Sequence, residues 1–111
     1  MKLIRKSDQR VIANPCIVAK KFWERTKGLM GQPYLEHGSG LLIEPCNSIH
    51  TCFMKFSIDV VYLDREGKIL TIQRNIKPWR IAKPVFKAHA VLEMMVGDTK
   101  ELKEGEVLCL S

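Results

Sequence analysis

The chain has 111 residues, a length that suits one domain, 1–111, and is short for two. With 46% hydrophobic and 27% charged residues it has the make-up of an ordinary globular domain, which excludes a disordered, collagen-like or coiled-coil chain. Eighteen Lys and Arg against 12 Asp and Glu give a net charge of +6, and the whole excess lies between Gly67 and Leu92, where six cations stand with no acid.

The apolar pattern, read in chain order, predicts mostly short strands. Met1–Lys6 has charge but no apolar run behind it, so no secretory leader is expected, and a cytoplasmic chain with reduced thiols follows. Val11–Ala19 opens with a β-branched pair and passes through Pro15, which suits an edge strand. Lys20–Met30 is the helix candidate: Phe22, Thr26, Leu29 and Met30 share one face, and Gly31 and Pro33 end it. After the turn at Gly38-Ser39-Gly40 come the strands Leu41–Ile43, Ile49–Met54 and Asp59–Leu63. The turn Asp64–Gly67 returns the chain as a strand over Lys68–Ile76. Pro78 and Pro84 bracket a loop around Trp79. Ala88–Val96 is a strand, Gly97-Asp98-Thr99 offers an N-cap for a helical turn near 98–103, and Glu106–Leu110 is the last strand.

The expected fold is therefore mainly β with a minor α component: a compact antiparallel sandwich or barrel-like domain with one helix near 20–30. With no alternation of strand and helix, a parallel sheet is not expected. The longest nearly uncharged run, Ile43–Met54, is too short and polar to span a bilayer, and no membrane partner is expected.

Three constellations carry chemistry. On a strand over Ile49–Met54, the side chains of His50, Cys52 and Met54 share one face. Imidazole, thiol and thioether form a soft ligand set suited to copper or zinc, with Cys46 as a further donor. A straight strand spaces His50 and Met54 about 13 Å apart, too far for one ion, so the leading expectation is no metal and no cofactor. His50 could instead activate Cys46 or Cys52 as a thiolate, although no nucleophile signature is present. The second constellation is Arg25-Thr26-Lys27-Gly28-Leu29-Met30-Gly31, a helix stop whose cations could contact an anion. The third is the basic loop holding Arg74, Lys77, Trp79, Arg80, Lys83 and Lys87. Cations beside an aromatic ring suit a single nucleic-acid strand, but Trp79 has only Phe86 as a second ring, and Trp79 covering one end of a barrel is the blander and leading alternative. Glu93, in the apolar run Val91–Val96, either faces outward or is buried with a partner such as Arg25 or His50.

The runs Arg25–Gly31, Ile49–Asp64, Val91-Leu92-Glu93 with Gly97, and Glu104-Gly105-Glu106 resemble, in order and spacing, the signature segments of the "domain of unknown function 192" family. Ser57, Met94-Met95 and Glu106 depart from its usual residues. The resemblance implies a compact, mainly-β, sandwich-like or barrel-like domain and implies no reaction. It draws attention to Arg25, Gly28, Met30, His50, Thr51, Met54, Asp59 and Glu93. Of these, Asp59 is expected to cap a turn and Gly28 to support the helix end.

The leading functional expectation is a non-enzymatic binding module for a small polar or anionic ligand or a partner's peptide. Its pocket lies between the helix end and the His50–Met54 segment. Arg25, His50, Thr51 and Glu93 supply polar contacts, and Met30 and Met54 an adaptable apolar wall. The alternatives are the soft-metal or thiol site at His50, Cys46 and Cys52, and single-strand binding through the 74–87 loop.

Overall fold

A computed structural model describes the backbone of residues 1–111 and every side chain except those of Phe22, Trp23 and Thr26. Eight strands and one helix occur in the order β1 (Leu3–Arg5), β2 (Val11–Ala13), β3 (Cys16–Ala19), α1 (Phe22–Lys27), β4 (Gly40–Ile43), β5 (Ile58–Leu63), β6 (Ile69–Ile76), β7 (Ala90–Met95) and β8 (Leu108–Leu110). They form two separate sheets, β2-β1-β8 and β3-β4-β7-β5-β6. The result is a sandwich-like arrangement and not a closed barrel.

The inner strands β4, β7 and β5 of the five-stranded sheet are buried on both faces, and their period-2 alternation divides the core. Leu42, Val61, Leu92 and Met94 point one way, into a cluster with Leu3, Ala13 and Leu108 of the small sheet. Leu41, Ile43, Ile58, Val60, Tyr62 and Val91 point the other way, into a cluster with Leu29 beyond the helix and with Ile49, Met54 and Ala82 from the long loops. Every residue of β4 and β5 is buried, as fits strands covered on both sides.

Two polar devices fix the loops. At the β5–β6 hairpin, Asp64 Oδ1 accepts from the Glu66 and Lys68 amides at 2.9 Å each. Gly67 there has φ +85°, and a Cβ on it would lie 2.1 Å from the Leu108 carbonyl oxygen, so only glycine fits. At the far end of β5, buried Asp59 accepts from the Asn75 amide (2.9 Å), the Gly97 amide (3.1 Å) and the Thr99 hydroxyl (2.7 Å). Arg74 closes the same cluster by donating to Thr99 Oγ1 and to the carbonyls of Thr99 and Leu102.

The structure departs from several sequence expectations. Val11–Ala19 is not one strand: it breaks at Asn14-Pro15 and feeds both sheets. Strand β1 carries too few residues to show a pattern. Strand β3 pairs parallel to β4, because the intervening α1 serves as the crossover that parallel pairing needs. The helix stops at Gly28, where φ is +47°, before the expected Gly31. Of its expected face, Phe22 and Thr26 lie outside the described side chains. Residues 98–101 form turns, with the Leu102 amide donating to the Thr99 carbonyl at 3.0 Å, and the Asp98 carboxylate accepts from His37 Nδ1 (2.8 Å) and the Gly38 amide (2.7 Å). Ile49–Met54 is not a strand: only His50 bridges to Ile81, and the chain turns back with the Met54 amide donating to the Thr51 carbonyl at 3.1 Å.

Candidate functional site

Alternation along β7 directs Glu93 to the same face as Val91, under the helix and loops. Its register neighbours are Leu41 on one side and Val60 on the other, both apolar. The carboxyl is 2% exposed, and Oε1 has no hydrogen-bond partner. Burial in apolar surroundings pushes its pKa up to about 8, so at neutral pH it is largely a neutral acid that can both donate and accept. The sequence leaves its facing open, and the structure points it inward. Neither Arg25 nor His50 supplies a hydrogen bond to Oε1.

The end of α1 lies over this carboxyl. Glu24 starts the helix by accepting from the Lys21 amide at 3.2 Å, and the Gly28 amide ends it by donating to the Glu24 carbonyl at 3.0 Å. Arg25 and Lys27 fall in the last turn, where cations favour the helix dipole. Arg25 Nη1 donates to the Pro45 carbonyl at 2.9 Å, tying the helix to the loop after β4. The Gly31 amide donates to the Phe53 carbonyl at 3.0 Å, tying it to the next loop.

Between these pieces is a cavity of about 380 Å³, in the size range of small-molecule sites. It brings together Arg25, Met30, His50, Met54 and Glu93, five of the six expected ligand contacts. Thr51 is placed elsewhere. Fully buried, its hydroxyl donates to the Lys77 carbonyl (2.6 Å) and accepts from the Arg80 amide (2.8 Å), which latches the 50s loop to the Trp79 loop. The cavity also takes in Lys27, Cys46, Asn47 and Ser48. Asn47 and Ser48 were not expected, although the polar run after Pro45 is a turn signal in the sequence. A larger open groove of about 610 Å³ runs along the other side of the helix between β3 and Tyr34, with a mainly apolar lining.

The alternative chemistries fare differently. His50 and Cys46 both line the cavity, but Cys52 does not. Among the described residues no three His, Cys, Asp or Glu side chains converge as a metal-holding group. The Cys46 thiol donates to the Ser48 carbonyl at 3.0 Å, and burial raises its pKa, the reverse of what an activated thiolate needs. In the basic loop, Lys77, Trp79, Arg80, Lys83 and Lys87 are exposed; Arg74 is exposed too, but its guanidinium donates to the Thr99 and Leu102 carbonyls. Trp79 has the neighbouring ring that its sequence context lacks: Phe53, at a centroid distance of 4.7 Å and tilted by 58°.

Over residues 3–109 the chain matches the model of the DUF192 family, described as uncharacterized ACR. It is 31% identical over 99 residues to a UPF0127 protein of Thermococcus sibiricus, covering 86% of this chain and 64% of that one. It is 30% identical over 112 residues to a UPF0127 protein of Thermococcus gammatolerans, covering 96% of this chain and 72% of that one. A crystal structure of a protein of unknown function from Novosphingobium aromaticivorans superposes with a TM-score of 0.82 at 20% identity, covering 98% of this chain and 82% of that chain. That likeness establishes the fold alone. The chain thus spans just under two-thirds of the Thermococcus sibiricus protein's length.

Proposed function

The chain belongs to the DUF192 family, and from that premise we propose that it is a binding module whose cavity at the end of α1 takes a small anionic ligand. The observation that carries this reading is the Glu93 carboxyl: buried, without a partner at Oε1, and on the lining of a cavity that also holds Arg25, Lys27 and His50. A buried polar atom with no partner costs roughly 1–3 kcal/mol, and a bound ligand would remove that cost. Arg25 and Lys27 would attract the anionic end of the ligand. The neutral Glu93 acid would hydrogen-bond its other end, and Met30 and Met54 would adapt to its apolar body. A ligand with a carboxylate or phosphate at one end and a carbonyl or amide at the other meets both requirements. Among the described residues the larger groove beyond the helix holds no such unpartnered buried polar atom, so the smaller cavity is the better candidate.

The test is native mass spectrometry of the untagged protein purified from its own host, beside His50→Ala. His50 is exposed, so the variant should fold normally. An organic adduct on the native chain that is absent from the folded variant supports the reading. A metal increment, or an adduct that survives in the variant, contradicts it.

A further inference from the structure

Away from the cavity carboxyl, two turns present aromatic rings to solvent. Phe53 is 59% exposed and Trp79 58%, and each is held at φ +65°, a backbone conformation rare for bulky residues. The two rings lean on one another. Thr51 anchors both turns: its carbonyl accepts from the Met54 amide at 3.1 Å and from the Trp79 amide at 2.9 Å. The rings are therefore fixed outward by a buried hydrogen-bonded staple and are not loose ends. On the same loop as Trp79, Ile81 is 82% exposed and Phe86 84%. Four of the eight large apolar side chains that are exposed among the described residues thus lie on two connected loops. The same loop carries the exposed cations Lys77, Arg80, Lys83 and Lys87 and no acid.

We propose that this face docks on an anionic lipid surface, with Phe53, Trp79 and Ile81 entering the headgroup boundary and the flanking cations meeting lipid phosphates. Trp favours that boundary because its ring is apolar and its N–H is wet. Long Lys and Arg side chains can lie along apolar surface while their charges reach phosphate. Charge complementarity selects an anionic bilayer over a neutral one. A nucleic-acid strand fits less well. A base needs a flat ring face to stack on, and the aliphatic Ile81, 82% exposed, offers none. No described helix is long and apolar enough to cross a membrane, so the contact is with the surface.

The experiment is flotation of the full chain with vesicles of phosphatidylcholine, alone or mixed with phosphatidylglycerol, beside retention on oligo(dT). The expected result is flotation with the mixed vesicles only, weakened by salt. The double variant Phe53→Ser/Trp79→Ser should lower the partition coefficient at least roughly tenfold. Lys83→Gln and Lys87→Gln should each lower it about fivefold, as expected for one cation near an anionic surface. Should the ring variant fail to fold, Ile81→Ser serves in its place, since that side chain is almost fully exposed. No flotation, equal flotation with both vesicles, or retention on oligo(dT) without flotation would overturn the proposal.

Discussion

A Cβ on residue 28 would lie 3.7 Å from Glu93 Oε1, and residue 28 is glycine. The helix end and the buried carboxyl are therefore in near contact. The chain turns away at Gly28 with φ +47° and ψ −125°, a conformation that side chains rarely adopt. The helix stop and the cavity are one feature of the fold.

Glu93 should make the protein less stable as pH rises. Below about pH 4.5 the carboxyl is protonated in both the folded and unfolded chains, and it contributes no slope. Between there and about 8 the unfolded chain has lost the proton while the folded chain keeps it, so folding must take a proton up. At 1.36 kcal/mol per pKa unit, that window removes roughly 5 kcal/mol. Glu93→Gln keeps the shape without the titration. Urea midpoints measured across the window should fall for the native chain and stay level for the variant.

Gly28→Ala should lower stability by roughly 1–3 kcal/mol, the usual cost of holding a side chain in a sparsely populated backbone region. The space itself admits a methyl at ordinary contact distance, so the loss would be conformational. Denaturant unfolding of Gly28→Ala against the native chain checks this, and an unchanged midpoint would show that the turn relaxes freely.

Thr51→Val should cost roughly 2–3 kcal/mol, because it strands the Lys77 carbonyl and the Arg80 amide that the hydroxyl serves. Thr51→Ser, which restores the hydroxyl, should recover most of that loss. Thermal unfolding of the two variants separates the hydrogen bonds from the methyl packing.

Cys16 and Cys46 should alkylate more slowly than a free cysteine at neutral pH, since burial raises both thiols. Mass spectrometry after timed exposure to iodoacetamide reads each site separately. Rapid labelling of Cys46 would revive a thiolate role for it.

The inner strands of the large sheet were legible in the sequence, because runs such as Val60–Leu63 are apolar on both alternating faces and need cover on both sides. The Asp64–Gly67 hairpin was legible through its turn chemistry. The segment from Ile49 to Met54 misled: its apolar residues suggest a strand, but Thr51 spends its backbone and hydroxyl on the Trp79 loop, a contact some 26–29 residues away. The parallel pairing of β3 and β4 was also hidden: the helix between them was expected, but nothing in its sequence says that the strands on either side of it are neighbours. Of the candidate site, the sequence supplied Arg25, Met30, His50, Met54 and Glu93 as residues. It also set them between the helix end and the 50s segment; that Asn47 and Ser48 join them and Thr51 does not depends on the path of the loops.

The most direct measurement is an amide and side-chain NMR titration of the native chain with a panel of small carboxylates, amides and phosphate monoesters, repeated on Glu93→Gln. The predicted result is that at least one anionic member shifts Gly28, Met30, Asn47 and His50 together and moves the Glu93 carboxyl resonance, with weaker binding to the variant. Shifts confined to the surface cations, or none in the cavity with any member, would contradict a ligand site at Glu93.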